Sequence, residues 1–261
     1  MSCIKQIRLA NTVFSVSSTM HMEVGGFLPQ FETSDDADIN IHVRYAEPGE
    51  ETPDAHGYAK IEYDDGCFKV AIPQGCFPRL TVWQILAMLP IPKLLLERGT
   101  LVLHGSCIIW NGKGIVFSGP SGIGKSTQAA LWNTLRGTAV INGDRLLVTI
   151  DKNGILVGSH YLCGTSGICT NQTVPLGAII LLEKGKCNQI KLPSPLSGFR
   201  QILAQLDYNI GQRDQMINVT ALVEKLMANI PIIEYSCLKD ESALIDLERY
   251  LYEKCCSQND S

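Results

Sequence analysis

The sequence predicts an α/β (α+β) fold: a mixed core of sheet and helices built around a phosphate-binding loop, with a small β-rich unit ahead of it. Three observations carry this. The stretch Gly119-Pro-Ser-Gly-Ile-Gly-Lys-Ser126 matches G-x-x-x-x-G-K-[ST] without mismatch. It lies between an apolar run, Gly114 to Ser118, and a helical start, Thr127 to Trp132. The residues before about 80 alternate with a period of two, whereas strand and helix patterns interleave from Leu101 onward.

In the first part, Ile4 to Val16 alternates loosely. Ile39 to Tyr45 alternates clearly, with Ile39, Ile41, Val43 and Tyr45 on one face. Glu47 to Pro53 is a turn-rich loop. Tyr58 to Tyr63 and Cys67 to Ile72 form a hairpin closed on Asp64-Asp-Gly66. Thr81 is an N-cap candidate, and the helix that follows is interrupted near Pro90 and Pro92. The domain boundary is placed here, giving an accessory β-rich domain over 1–80 and a domain bearing the phosphate-binding loop over 81–261.

Leu101 to Trp110 is a strand. Leu101, Leu103, Cys107 and Ile109 face one side; His104, Ser106, Ile108 and Trp110 face the other. Asn111 to Gly114 turns it back into the strand that feeds the loop, so this strand enters from a hairpin rather than from a parallel βαβ unit. Thr138 to Ile141 is a short strand. Arg145 to Ile150 and Ile155 to Val157 pair around Asp151 to Gly154. Ser159 to Ile168 is a loop of small and polar residues. Leu176 to Glu183 is a buried strand, and helical patterns follow near 195–206 and 218–229. Ile230 to Ser236 is the last strand, and an amphipathic helix starts near Glu241. No internal repeat is present.

Composition narrows the function. A 45% hydrophobic, 18% charged chain has the makeup of a soluble globular protein. A net charge of -4 with no basic run argues against nucleic acid. No apolar stretch is long enough to cross a membrane. The first residues, Met1 to Arg8, lack the apolar core of a signal peptide, and ten cysteines are scattered without a C-x-x-C pair. Reduced thiols and a cytoplasmic location are therefore expected. Cys163 and Cys169 flank a glycine-bearing loop without zinc spacing. The acidic group Asp35, Asp36 and Asp38 suits a solvated loop, and His21, His42 and His56 have no partners at ligand spacing.

The chemistry concentrates on the loop. Gly119, Gly122 and Gly124 let the backbone curl its amides inward around a phosphate, and the helix behind them adds its positive end. Pro120, Ser121 and Ile123 fill the variable positions of the loop. Lys125 supplies a mobile cation for the outer phosphates, and the Ser126 hydroxyl is a Mg²⁺ ligand. Transfer also needs a carboxylate, and Asp144 is placed for it, one helix beyond Lys125 and just past an apolar strand end. It would hold Mg²⁺ or accept a hydroxyl proton; an Asx turn in Asn142-Gly-Asp144 is the alternative. His104 would contact phosphate or substrate, or be a half-buried histidine of the strand. Arg145 would clamp phosphate oxygens or pair with an acid; Arg200 and Arg213 are weaker candidates, and Glu183 is the next carboxylate after Asp144.

Val102 to Ser106, Phe117 to Thr127 and Ile141 to Arg145 together resemble the HPr kinase family, closest in character to its shorter bacterial relatives, the HPr-kinase-like serine kinases. The resemblance is specific from about Leu94 to Arg145. It implies the P-loop core shared with phosphoenolpyruvate carboxykinase. It also implies ATP on Gly119 to Thr127, Mg²⁺ near Ser126 and Asp144, and phosphate transfer to a hydroxyl. The family's histidine before glycine matches His104. Two positions depart from the pattern. Gly143 stands where the family carries the first of two adjacent aspartates, and no glutamate-arginine signature occurs in Gly158 to Val174.

The acceptor is open among a peptide serine, free serine and other small hydroxyl compounds, as are the donor (ATP, ADP or pyrophosphate) and homo-oligomerisation. Two rivals remain. An ABC-type ATPase shares the loop sequence, and Leu196 to Gln201 is similar to its signature loop, but no apolar strand ending in Asp-Glu follows. A nucleotide-sensing module without phosphotransfer would tolerate the single aspartate.

Overall fold

The structure, a computed structural model, describes residues 3–50, 59–77, 79–208 and 213–256. The expectations for His56, for Tyr58 and for the end of the Glu47 to Pro53 loop lie outside the described residues. The chain is a mixed α/β protein forming two compact units, Met1–Leu94 and Leu95–Ser261.

The first unit carries one five-stranded sheet. Strands β1 (Cys3–Leu9) and β2 (Thr12–Ser18) form a hairpin, β3 (Ile39–Tyr45) lies parallel to β2, β5 (Cys67–Ile72) lies parallel to β3, and β4 (Lys60–Asp64) closes the edge. Asp65 and Gly66, both at positive φ, make the two-residue turn that the Asp-Gly pair implies. Ile39, Ile41 and Val43 are buried as their alternation requires. Tyr45 is not: it ends its strand at 50% exposure, so the shared face stops one residue pair early. Asp38 is more than a solvated acid, because its carboxylate accepts the Val13 N–H at 2.7 Å.

Helix α1 (Val82–Met88) starts at Thr81 through a capping box with Gln84. Leu89 is extended because Pro90 follows, and α2 (Ile91–Leu96) resumes beyond it. The helix α1, read from sequence as the start of the larger domain, belongs to the smaller unit. Its first amides, Val82 and Trp83, donate to the carbonyls of Glu23 and Val24, and Ile85 and Leu86 are fully buried. The division falls within α2.

The second unit contains β6 (Thr100–Trp110), β7 (Lys113–Ser118), α3 (Lys125–Arg136), β8 (Val140–Asn142), β9 (Arg145–Asp151), β10 (Gly154–Ser159), β11 (Thr173–Lys184), β12 (Gln189–Lys191), α4 (Pro195–Leu203), α5 (Arg213–Asn229), β13 (Ile232–Cys237) and α6 (Glu241–Cys256). Two long strands organise it. The first half of β6 pairs with β9 and its second half with β7 and β8. The start of β11 pairs with β10, and the rest runs parallel to β7 and to β13. The path β10-β9-β6-β7-β11 thus closes on itself through the β10–β11 pairing. Inside lie Leu101, Leu103, Cys107, Val116, Leu146 and Val157. Gly114 is required there, since a Cβ would overlap Val157.

The predicted two faces of β6 separate as expected. Cys107 and its neighbours meet α4 and α5 through Ile202, Val219 and Val223. Ile108 and Trp110 meet α3 and α6 through Trp132, Leu244 and Leu247. Asn111 and Gly112, at φ 49° and 73°, turn β6 into an antiparallel β7. Because β7, β11 and β13 are parallel, their C-terminal ends share one rim, where α/β sheets bind ligands. No helix among the described residues is long and apolar enough to cross a membrane.

Candidate nucleotide site

The turn from β7 into α3 occupies that rim. Gly119 adopts φ 141°, and a Cβ on it would stand 3.1 Å from the Leu182 carbonyl oxygen of β11. Gly124, at φ 119°, caps α3. Only glycine tolerates these angles cheaply. The result is a tight turn, with the Ile123 N–H donating to the Pro120 carbonyl, that leads straight into the N-terminus of α3, an arrangement suited to an anion. Lys125 folds over it, donating from Nζ to the carbonyls of Gly119 at 2.8 Å and Pro120 at 3.1 Å. Burial lowers the Lys125 pKa, while the Asp144 carboxylate pulls it back up.

The Gly143 carbonyl is a junction. Ser126 Oγ donates to it at 3.1 Å from α3, and the buried Ser106 Oγ at 2.9 Å from β6. The Asx turn considered in Asn142-Gly-Asp144 is present, with Asn142 as its acceptor. Its Oδ1 accepts the N–H groups of Asp144 at 2.8 Å and Arg145 at 3.0 Å. The fully buried Asn142 amide nitrogen donates to Ser159 Oγ and to the carbonyls of His160 and Leu162. One side chain therefore locks the turn to the loop after β10 and leaves the Asp144 carboxylate facing outward, 38% exposed.

His104 stands opposite Arg145 in the β6–β9 register. Burial lowers its pKa; Arg145 and Lys125 push the same way, while Asp207 and Asp144 oppose them. It is consequently neutral at pH 7. These five residues form one electrostatic neighbourhood. Arg145 is held by Asp207, with its terminal nitrogen 3.3 Å from Oδ2; its buried Nε lies 3.9 Å from Asp144 Oδ2 and has no hydrogen-bond partner among the described residues. Arg200 and Arg213 are elsewhere, on α4 and α5, across the sheet from α3. Leu196 to Gln201, compared with a signature loop, lies inside α4. Glu183 is at the C-terminal end of β11, exposed.

The loop after β10 packs directly against Gly143. A Cβ on Gly143 would overlap Ser166 Oγ and stand 2.5 Å from Ser166 Cβ. A Cβ on Gly164 would stand 2.9 Å from Asp144 Cγ. Ser166 thus fills the space that a side chain at 143 would need. Sequence reading missed Asn142, His160, Ser166 and Asp207 because each matters through contacts far along the chain. His160 is 3% exposed, accepts the Leu162 N–H at 3.0 Å, and is held down to a pKa of about 3 by burial, with Arg145 and His104 adding to it.

As oxygen donors, Ser126 and Asp144 are of the kind Mg²⁺ prefers, and one or two protein oxygens suffice when phosphates and water supply the rest. Among the described residues no cluster of three or more His, Cys, Asp or Glu side chains forms a metal cage.

No protein-family model and no curated protein matches the sequence. Among solved structures, the chain is similar to the HPr(Ser) kinase/phosphatase from Coxiella burnetii at 15% identity, over 48% of this chain and 94% of that one, with a TM-score of 0.25. A score that low carries no argument about function, which stands on the residues of the site.

Proposed function

We propose that the chain is an ATP-dependent kinase that transfers a phosphoryl group to a hydroxyl acceptor, a serine of a peptide or a small hydroxyl compound. One observation carries the reading: the phosphate-loop hydroxyl of Ser126 and the carboxylate-bearing turn Gly143-Asp144 are joined through a single hydrogen bond, so cation-binding groups flank the loop's anion cradle. Gly119 to Ser126 would bind the phosphates, with Lys125 leaving its carbonyl partners to meet them. Ser126 and Asp144 would hold Mg²⁺, which would neutralise charge on the transferring group. Asp144 is also the carboxylate able to take the acceptor's proton. Neutral His104 could orient the acceptor hydroxyl without adding charge.

Single-turnover transfer from ATP to a panel of serine, polyols and serine peptides tests the proposal. Asp144→Asn should bind ATP but lose at least about a hundredfold in transfer, the scale of a lost acid–base group. Near-normal transfer would make Asp144 a turn residue only. A second reading, a nucleotide-binding module without transfer, is favoured by Ser166 filling the space beside Gly143, which leaves Asp144 as the carboxylate of this turn. ATP binding with no product from any acceptor would select it.

A further inference from the structure

We infer that Lys239 is a nucleotide-contacting residue, and that the nucleoside end of the ligand lies along the C-terminal ends of β11 and β13. The inference rests on the proposed phosphate-loop site. The loop has two flanks. One is taken by Gly143, Asp144 and the loop bearing Gly164 and Ser166. The groups proposed to hold Mg²⁺, Ser126 and Asp144, are on that flank, so the terminal phosphates would point there. The α-phosphate and nucleoside then extend to the other flank, over the parallel ends of β11 and β13.

That flank carries a lysine held in place indirectly. Gln128, 2% exposed on α3, donates from Nε2 to the Leu238 carbonyl at 3.2 Å and to Cys237 Sγ at 3.2 Å. The segment after β13 is thereby pinned to the helix that begins at the phosphate loop. Lys239 comes next, and its Cε lies 4.0 Å from where a Cβ on Gly124 would stand. Its acidic neighbour Asp240 is engaged elsewhere, accepting the N–H and hydroxyl of Ser242 at the start of α6. The Lys239 ammonium is therefore available to an anion that a diphosphate or triphosphate nucleoside brings to this side, its α-phosphate.

Calorimetry on the full chain separates the possibilities, with Mg·ADP and Mg·pyrophosphate as probes. Pyrophosphate occupies the cradle but does not reach the β13 flank. Lys239→Ala should weaken ADP about tenfold, a single charge-assisted contact, and leave pyrophosphate within about twofold. Lys239→Arg should restore most of the ADP affinity. Unchanged ADP affinity, or equal losses for both probes, overturns the inference. If the unaltered chain binds neither probe, the phosphate-loop reading itself fails, and that outcome overturns the inference with it.

Discussion

Ser166 stands in the space that a side chain on Gly143 would fill: a Cβ there would lie 2.5 Å from Ser166 Cβ. The single-aspartate turn and the loop after β10 are thus one packed arrangement. Gly143→Ala should cost about 1–3 kcal/mol, the usual scale of overpacking. Ser166→Gly should recover most of that loss in the double variant. Urea unfolding of the four chains measures the coupling; simple additivity would show that the two residues are independent.

Lys125→Ala should weaken Mg·ATP by about 10- to 100-fold, because charge-assisted hydrogen bonds to phosphate are lost. The fold should survive, since among the described residues the Lys125 ammonium donates to carbonyls of the loop itself. Calorimetry beside circular dichroism checks both halves, and unchanged affinity would remove the phosphate-loop assignment.

Asn142→Ala should be among the most damaging single changes in the second unit. It removes the Asn142 partner of the Asp144 and Arg145 amides and of the Leu162 carbonyl, while the His160 carbonyl keeps the Ser159 and Cys169 donors. Each orphaned buried group costs about 1–3 kcal/mol. Asn142→Asp keeps the two accepted bonds and loses the donated ones, so it should lie between. Thermal unfolding at one pH orders the three chains; equal stability of all three would refute the locking role.

Acid should destabilise this region through His160. Its folded pKa, about 3, is below the ordinary 6.5, so the unfolded chain binds the proton more readily. Stability from this group is intact above 6.5 and declines as pH falls toward 3, by up to about 1.4 kcal/mol for each pH unit. Arg145 and His104 oppose its protonation as well. His160→Gln, which retains an acceptor for Leu162, should flatten the slope of unfolding free energy between about pH 6 and pH 4. An unaltered slope would place the acid sensitivity elsewhere.

What the sequence determined by itself was local. Glycines at 119, 122 and 124 ahead of Lys125 specify the loop, because only that spacing allows the turn, the helix end and the cation together. Asn111-Gly112 and Asp65-Gly66 specify hairpins, because both require positive φ at two consecutive residues. The two faces of β6 followed from a period of two. Tertiary structure alone decided the rest. That the Asn142 amide nitrogen anchors its turn to the loop after β10 depends on carbonyls up to twenty residues on. That α1 joins the first unit depends on Glu23 and Val24, far back in the chain. The closed strand path, the Ser166 contact with Gly143 and the place of Lys239 beside Gly124 are long-range packing. No periodicity announces such contacts, since they are set by which surfaces exclude water together rather than by the backbone preference of any short segment.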